Sequence, residues 1–521
     1  MAERPQRRKL LKAAPESDQN DASDRLSALS DCVLLLILSR LDTKEAAVTS
    51  ILSTRWRHLF LSLPQITLQF SPNDDVSHRE RLFSIFTPFA NRVLRHRNNA
   101  PINKIRLSVT HSVESFRPGF QSLLCSAAAA LATYRVENIS VFVELDKTTE
   151  PFRVSVPRGM FSSDTLVGLH LSLRVRWSVP ELVSLPNLKY LHLVSFRLGD
   201  EDSVPRFLRG CPSLENLVLI LRELDEGESE EGGGVETLRV SSPSLKCVML
   251  FWEEEVESDF NVFVRSESLE SLFCSLQGRH KVTVDAPNLK SLSLVGHVLE
   301  VDIIQSLVSI DEAVIKAGFL FQVADVDDLI LRAGHAFTFF SGLQHVKSLS
   351  LSENIMKALY FSPPVMPTFR NLVKLKLTPV YCHYFPRNWI LQVLFKLFES
   401  SPNVELLSLS EVSDNYFGED ADFDSVFPRA LPLSFVEHLK VIEMNDFKGG
   451  EHEFKLVEYF LKNGKSLEKI ALERDGWKSV PKDCHRILSF KKCSEDCQIV
   501  FRKKWDFIKC PELRQAMNLS P

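Results

Sequence analysis

A chain of 521 residues exceeds the size of one compact core, which predicts either several domains or one long array of repeats. Its 62 basic and 67 acidic side chains leave a net charge of −5, and 44% of the residues are hydrophobic, an ordinary composition for a soluble protein. This balance lacks the basic field that nucleic-acid binding usually requires, and no apolar run is long enough for a signal peptide or a membrane span. We therefore expect neither nucleic acid nor a membrane as a partner.

Catalytic and metal-binding signatures are missing from the sequence. It contains no P-loop, nucleophile elbow, H-E-x-x-H helix or dinucleotide-binding glycine motif. The ten cysteines form no dense framework, which favours reduced thiols in a cytoplasmic or nuclear protein. Cys493 and Cys497 lie near Cys484 and His485, but a single C-x-x-x-C pair is a weak metal signature. We expect no enzyme activity, no metal and no cofactor.

One leucine-rich pattern recurs along most of the chain. Its clearest copy contains Leu188, Leu191 and Leu193 in the frame L-x-x-L-x-L. The frame begins at positions 166, 188, 214, 245, 269, 289, 346, 372, 404, 439 and 467, with degenerate copies near 102–107, 136–141 and 307–315. These irregular spacings stay near the leucine-rich-repeat range and predict a solenoid.

The N-terminal sixty residues have a different pattern. A polar, basic leader over residues 1–22 favours a disordered tail and, more weakly, a nuclear-import signal. Apolar spacing then predicts a helix from Val33 to Leu41, a second helix capped by Asp42 or Thr43, and a third that carries the residues Ile51, Leu52, Trp56, Leu59 and Phe60. So short a segment cannot bury all these side chains by itself, so either a partner or the following domain covers some of them.

Residues 24–60 closely resemble the F-box of plant F-box proteins with leucine-rich repeats. The matching positions are Asp24, Arg25, Leu26, Leu29, Asp31, Leu34, Ile37, Leu38, Ser39, Leu41, Thr43, Lys44, Ser50, Leu52, Ser53, Arg55, Trp56 and Arg57. The resemblance implies a helical module that docks on a Skp-type adaptor and, through it, on a cullin-RING assembly. The contact residues it implies are Leu29, Val33, Leu34, Ile37, Leu38 and Leu52. Ser30 replaces the usual proline and Phe60 a common tryptophan, departures that would reduce adaptor affinity.

Periodicity also predicts the elements around the repeats. Ile66, Leu68 and Phe70 alternate as a strand. Helices are expected over residues 81–97, 120–133, 204–209, 326–340 and 389–400. The acidic, glycine-rich run at residues 223–234 is typical of an exposed loop.

The residues between the repeat leucines carry the functional prediction. In L-x-x-L-x-L the last two apolar positions point into the solenoid, so the residues that alternate with them point outward from the concave sheet. This outward set becomes apolar in the middle of the array, where it includes Tyr190, His192, Val218, Ile220, Met249, Phe251 and Phe273. Such a patch is typical of a site that binds a target protein, unless a loop covers it or the alternation fails locally.

His170 and His192 occupy equivalent positions in adjacent repeats, which places their backbones about 5 Å apart if the strands pair. No carboxylate, cysteine or third histidine accompanies them in the predicted ladder. Surface or interface histidines are therefore favoured over metal ligands.

The C-terminal segment changes character again, to a strand–helix–strand pattern with Phe454, Leu456, Val457, Phe460 and Leu461 on one helical face and Gly464 at the helix end. It resembles the FBD domain that follows the repeats in many plant F-box proteins. The matching positions are Gly449, Glu453, Val457, Tyr459, Leu461, Leu467, residues 487–490 and residues 497–501.

Together these patterns predict an α/β protein: a three-helix F-box, an irregular leucine-rich-repeat solenoid and a strand–helix–strand FBD-like cap. The expected boundaries are a leader at 1–22, the F-box at 23–64, the solenoid at 65–430, the cap at 431–505 and a tail at 506–521. The expected function is the substrate-recognition subunit of a Skp–cullin–F-box ubiquitin ligase. A ligase-independent binding scaffold and a small-molecule co-receptor remain alternatives.

Overall fold

The fold is taken from a computed structural model. It describes residues 26, 28–72, 75–98, 100–112, 114–145, 154–177, 179–198, 200–221, 236–252, 261–276, 280–297, 300–305, 307–318, 338–361, 366–378, 389–410, 431–474 and 481–503. The predicted leader, the acidic run at 223–234, the tail at 506–521 and most of the predicted helix at 326–340 lie outside these residues.

Three short helices begin the described chain: α1 (Asp31–Leu38), α2 (Thr43–Thr49) and α3 (Thr54–Leu61). Asp42 and Glu45 form a capping box that starts α2, as the sequence predicts for Asp42. Ser53 caps α3 by accepting a hydrogen bond from the backbone N–H of Trp56. The prediction that Ile51 and Leu52 lie on the third helix is wrong, because this cap starts the helix after them.

Sixteen parallel strands form one continuous sheet, the main sheet, in the order β1-β2-β3-β4-β5-β6-β8-β10-β12-β14-β15-β16-β17-β18-β19-β20. Their bounds are β1 Gln65–Phe70, β2 Lys104–Ser112, β3 Asn138–Leu145, β4 Gly168–Trp177, β5 Tyr190–Leu198, β6 Asn216–Leu221, β8 Cys247–Trp252, β10 Ser271–Leu276, β12 Ser291–His297, β14 Glu312–Gly318, β15 Ser348–Ser352, β16 Lys374–Thr378, β17 Leu406–Ser410, β18 Val441–Asn445, β19 Lys469–Glu473 and β20 Gln498–Arg502. Each repeat contributes one strand to the main sheet, and the apolar residues of the frame are buried in register, as Leu191 beside Leu217 shows. The predicted solenoid is confirmed.

Helices connect many of these strands: α4 (Val76–Arg95), α5 (Arg117–Thr133), α6 (Ser203–Arg209), α7 (Glu353–Phe361) and α8 (Trp389–Ser400). The expected helices at 120–133, 204–209 and 389–400 are confirmed. Helix α4 begins earlier than the predicted residue 81, because Asp75 accepts a hydrogen bond from the His78 N–H and caps it. Pro88 lies inside α4.

A second, four-stranded parallel sheet replaces helices in the middle of the array. It has the order β13-β11-β9-β7, with β7 Thr237–Ser241, β9 Asn261–Arg265, β11 Lys281–Asp285 and β13 Glu300–Ile303. Each of these strands buries alternate apolar residues, such as Val262 and Val264 in β9. The repeat frame does not predict this sheet, although N-V-F-V-R and K-V-T-V-D alternate as strands do.

The C-terminal unit combines β18, α9 (Glu451–Asn463), β19, α10 (Pro481–Leu488) and β20. The five apolar residues predicted for the inner face of α9 are all buried, and the helix ends before Gly464. Buried Glu453 accepts backbone hydrogen bonds from Lys448 at 2.9 Å, Gly449 at 2.7 Å and Gly450 at 3.0 Å, which fixes the start of α9. The Gly449 backbone has a φ of +83°, a conformation that L side chains rarely adopt.

One apolar core runs from Leu34 in α1 to Cys497 before β20. The F-box shares this core with the solenoid, and the Arg97 guanidinium donates a hydrogen bond to the Leu63 carbonyl at the junction. Among the described residues, no helix has both the length and the apolar character that a membrane span requires.

Candidate functional site

The structure divides the six predicted adaptor contacts into two groups. Leu34 and Leu38 have no exposed surface, because this side of α1 faces the core. Leu29 is partly buried against the same core. Val33, Ile37 and Leu52 remain exposed by 39%, 38% and 66%. Leu34 and Leu38 therefore cannot touch a second protein without rearrangement of the F-box, whereas these three are open to contact.

Several exposed apolar residues of the F-box were not among the six predicted contacts. Half of the exposed large apolar side chains among the described residues lie between Leu26 and Leu52. We call this set the F-box face: Leu26, Val33, Leu36, Ile37, Leu41, Val48, Ile51 and Leu52. Val33, Leu36 and Ile37 are spaced by three and four residues, which puts them on one side of α1. Such a concentration of exposed apolar side chains is typical of a binding surface.

The two departures from the F-box pattern have different structural settings. Ser30 is the N-cap residue of α1 and has a φ of −67°, the value at which a proline ring is held. Its backbone therefore already has the shape that the usual proline would give. Phe60 is buried, which places this departure in the core and not on the F-box face.

The main sheet presents its outward residues in the predicted phase. In β5, Leu191 and Leu193 are buried while Tyr190 is 53% exposed and His192 is partly exposed. The patch residues Val218, Ile220, Met249, Phe251 and Phe273 are also partly exposed. The alternation therefore holds at these positions, and we call this side of the main sheet the open face.

Strand register brings the patch residues together. His192 pairs with Val218 in β6, Val218 pairs with Met249 in β8, and Met249 pairs with Phe273 in β10. Ile220 pairs with Phe251, whose ring centroid lies 4.9 Å from that of Phe273. Tyr190 begins β5, one outward position before His192. The seven predicted residues form one continuous patch on the open face.

His170 and His192 extend this patch toward the N-terminus. They are paired in register, and their ring centroids lie 4.0 Å apart. Desolvation by burial lowers the pKa of His170 to about 3 and the pKa of His192 to about 4. Each ring is therefore neutral near pH 7. His192 Nε2 is buried and has no hydrogen-bond partner among the described residues.

The aromatic contacts continue to a cation. Phe142 lies 4.4 Å from His170 between ring centroids, and the Arg106 guanidinium carbon lies 5.0 Å from the Phe142 ring centroid. This geometry fits a cation–π contact. Phe142 and Arg106 were not predicted as site residues, although both lie on the outward positions of early repeats.

A row of charged residues that was not predicted runs along the edge where the strands begin. From β5 to β15, the residue just before each strand of the main sheet alternates in charge. Glu215 contacts Lys189 at 3.8 Å and Lys246 at 3.1 Å. The same pairing joins Glu270 to Lys290, Asp311 to Lys347 and Glu405 to Lys440. We call this row the charge ladder. The hydrogen bond from Lys246, together with both lysine charges, holds the pKa of Glu215 below its usual value.

The structure offers no group of three histidine, cysteine or acidic residues suited to a metal within its described ranges. Cys497 is buried, Cys493 is exposed and Cys484 is partly buried. Cys274 is fully buried at a leucine position of the repeat, and burial raises the pKa of its thiol to about 12.

Comparison with known proteins matches three successive parts of the chain. The F-box domain model matches residues 26–66, the leucine-rich-repeat model of FBD-associated F-box protein At5g56370 matches 127–326, and the FBD model matches 428–472. The F-box/LRR-repeat protein At2g42720 of Arabidopsis thaliana is 30% identical over 487 residues, covering 91% of this chain and 99% of that protein. The chain belongs to the plant F-box/FBD/leucine-rich-repeat family. F-box/FBD/LRR-repeat protein At5g22660 of Arabidopsis thaliana is a further relative, 28% identical over 504 residues, with 92% and 97% covered.

Membership in the F-box/FBD/leucine-rich-repeat family indicates the general roles of the domains that carry the F-box face and the open face. The F-box domain generally binds Skp-type adaptors, and F-box/leucine-rich-repeat relatives are typically non-catalytic. The F-box and the repeats together suggest the role of a substrate adaptor.

Proposed function

We propose that this F-box/FBD/leucine-rich-repeat protein is the substrate-recognition subunit of a Skp–cullin–F-box ubiquitin ligase. The F-box face docks the adaptor, and the patch on the open face holds a target protein. Ubiquitin transfer then follows from proximity, because tethering gives the target a high effective concentration near the conjugating enzyme. No reactive side chain of this chain takes part.

One observation carries the proposal: the F-box buries one side of α1 in its own core and leaves the other side apolar and exposed. Leu34 and Leu38 are fully buried, while Leu36 on the same helix is 61% exposed. An internal structural module would bury both sides. A module that docks a partner needs one side free.

The shared core supports the second half of the proposal. Because the F-box and the solenoid form one apolar cluster, an adaptor bound to the F-box face has a fixed position relative to the open face. A target on the open face would therefore be presented in a defined orientation.

Co-purification with a plant Skp-type adaptor tests the first half. The variants Ile37→Asp and Leu52→Asp each put a charge on the F-box face and should abolish co-purification while the protein stays folded. Leu182→Asp is the matched control, since Leu182 is 88% exposed but lies outside the F-box. If both F-box variants retain the adaptor, or if the wild type never binds it, the ligase proposal is wrong and the ligase-independent scaffold is favoured.

Target capture tests the second half. The double variant Phe251→Asp/Phe273→Asp should lose the target while it keeps the adaptor, because the two surfaces do not overlap. Target binding that appears only with an added small molecule would instead favour the co-receptor alternative. Unchanged target binding by the folded double variant would remove the open-face patch from the proposal.

A further inference from the structure

We propose that the open face selects a target segment that carries apolar side chains beside at least one carboxylate, with the carboxylate lying over Lys104 and Arg106. This rests on the proposed function, since it names the class of target segment that the receptor takes. Three features of the open face support it: its uncharged middle, its basic N-terminal flank and its one buried, unpartnered histidine nitrogen.

The first three outward positions of each strand in the middle of the open face carry no formal charge at neutral pH. From β3 to β12, none of these positions is Asp, Glu, Lys or Arg, and the carboxylate of Glu144 on β3 comes one outward position after Phe142. The uncharged stretch includes Phe142, both neutral histidines and Val218, and it ends in serines on β12. A charged target residue placed here would lose its hydration without a partner, so the contacting part of the target must be apolar.

The N-terminal flank of this stretch is basic. Lys104 and Arg106 lie on outward positions of β2, and neither makes an ion pair with any carboxylate of the described residues. Their strand neighbours in register are neutral: Gln65 and Thr67 on β1, and Asn138 and Ser140 on β3. Two cations without a carboxylate favour an anionic partner that reaches this flank.

The opposite flank has mixed charge. Strand β14 presents Glu312 and Lys316, and β16 presents Lys374. Because both signs occur there, that flank does not favour one charge on the target. The carboxylate is therefore assigned to the β2 side.

The geometry also sets the length of the segment. The aromatic and apolar residues run from Phe142 on β3 to Phe273 on β10, five strand spacings in the order of the main sheet. At ~4.8 Å per spacing this is about 24 Å, or about seven residues of extended chain. His192 Nε2 lies within this path and offers one hydrogen bond to the segment.

Peptide selection on the purified full-length chain tests the inference. The probe is a displayed library of random peptides of about 12 residues, long enough to cross the patch and reach the β2 flank. We expect enriched peptides to carry apolar side chains and an Asp or Glu toward one end. In a synthetic copy of an enriched peptide, replacement of the acid by its amide should weaken binding about tenfold.

Protein variants locate the carboxylate. Arg106→Gln should weaken the acidic peptide about tenfold but the amide peptide little, whereas Arg106→Lys should restore most of the affinity. Arg239→Gln is the matched control, because Arg239 is an exposed strand arginine on the second sheet, and it should leave both affinities within about twofold. Phe251→Asp/Phe273→Asp should abolish binding of either peptide.

Three results would overturn the inference. The first is enrichment of peptides that are basic or lack apolar residues, and the second is peptide affinity that is unchanged by both Arg106→Gln and Phe251→Asp/Phe273→Asp. The third is no enrichment over a selection on the Phe251→Asp/Phe273→Asp variant. The adaptor experiment separates these from a failure of the proposed function. If the wild-type protein does not bind the adaptor and Ile37→Asp still binds the peptide, the ligase role is rejected and the inference stands.

Discussion

The Thr43 hydroxyl oxygen on α2 accepts a hydrogen bond from the backbone N–H of Thr67 in β1, over 2.7 Å. Strand β1 is the first strand of the main sheet, so its outer edge would otherwise present unpaired backbone groups. The F-box thus covers the open edge of the solenoid as well as carrying the F-box face.

Removing this hydroxyl should destabilise the whole N-terminal end. Thr43→Val leaves the Thr67 N–H without its partner, and Thr43 is only 3% exposed. We expect a loss of about 1–3 kcal/mol in the free energy of unfolding, measured by chemical denaturation. Thr49→Val on the same helix is the control, since the Thr49 hydroxyl bonds only to Ala46 within α2, and it should cost about 0.5 kcal/mol or less. Equal effects of the two variants would contradict the capping role.

The two sides of α1 should separate stability from binding. Leu34→Ala removes a fully buried side chain and should lower the free energy of unfolding by about 2–5 kcal/mol. Ile37→Ala removes a partly exposed one and should change stability by less than about 1 kcal/mol while weakening adaptor binding. Thermal denaturation and an adaptor-binding titration on both variants check this. A stable Leu34→Ala protein with reduced binding would reverse the assignment of the two sides.

The histidine pair should make stability fall in mild acid. In the folded protein the pKa values of His170 and His192 are about 3 and about 4, whereas in the unfolded chain each returns to about 6.5. As the pH falls below about 6.5, the two imidazoles bind protons in the unfolded chain but stay neutral in the folded protein. Stability is therefore fully present above about pH 6.5 and declines as the pH falls toward the folded pKa values.

The measurement is the free energy of unfolding at several pH values between about 7 and 4.5. Each histidine should contribute a slope of at most about 1.4 kcal/mol per pH unit over the lower part of this range. His170→Gln/His192→Gln should flatten the curve, and His58→Gln is the control, because His58 lies on α3 away from the pair. Imidazole NMR signals of the pair that titrate near pH 6.5 in the folded protein would contradict the prediction.

Glu453 should be essential to the C-terminal unit. Glu453→Ala leaves the backbone N–H groups of Lys448, Gly449 and Gly450 without the carboxylate that accepts their hydrogen bonds. Glu453 is only 1% exposed, so water cannot readily replace that carboxylate. We expect a cost of about 3 kcal/mol or more in the free energy of unfolding. Glu458→Ala on the exposed side of α9 should change it by about 0.5 kcal/mol or less. Faster amide hydrogen exchange in α9 of Glu453→Ala alone would show where the loss acts.

Periodicity in the sequence was enough to predict the solenoid. Leu188, Leu191 and Leu193 stand where the repeat frame needs buried residues, and the outward phase at Tyr190 and His192 follows from the two-residue period of a strand. The same reasoning did not show which side of α1 would be buried. Leu34 and Leu36 are equally apolar, and only packing of α1 on α3 and on the following core distinguishes them.

Other features needed the third dimension. Arg106 on β2 and Phe142 on β3 adjoin the patch. The repeats that contain these two strands are too degenerate for their outward residues to be predicted together with those of the clear repeats. The charge ladder had a sequence signal, since a charged residue precedes most strands. Its alternation of sign becomes meaningful only when parallel pairing sets Lys189, Glu215 and Lys246 side by side.

The charge ladder should contribute salt-dependent stability. Glu215→Lys places three lysines in a row, and we expect a lower thermal midpoint at low ionic strength that recovers as salt is added. Glu215→Gln removes the attraction without adding repulsion and should have a smaller effect. A thermal midpoint for Glu215→Lys that does not depend on salt would show that the charge ladder makes no electrostatic contribution to stability.

The alternating signs also constrain how such an array can change its length. Deleting the single repeat that carries Glu215 would set Lys189 directly beside Lys246, so two like charges would meet at the new junction. Deleting two successive repeats in this part of the array would restore a meeting of opposite charges, as when Lys189 comes to lie beside Glu270. Shortening or lengthening this part of the array by two repeats therefore keeps opposite charges adjacent at the junction, whereas a change of one repeat brings like charges together.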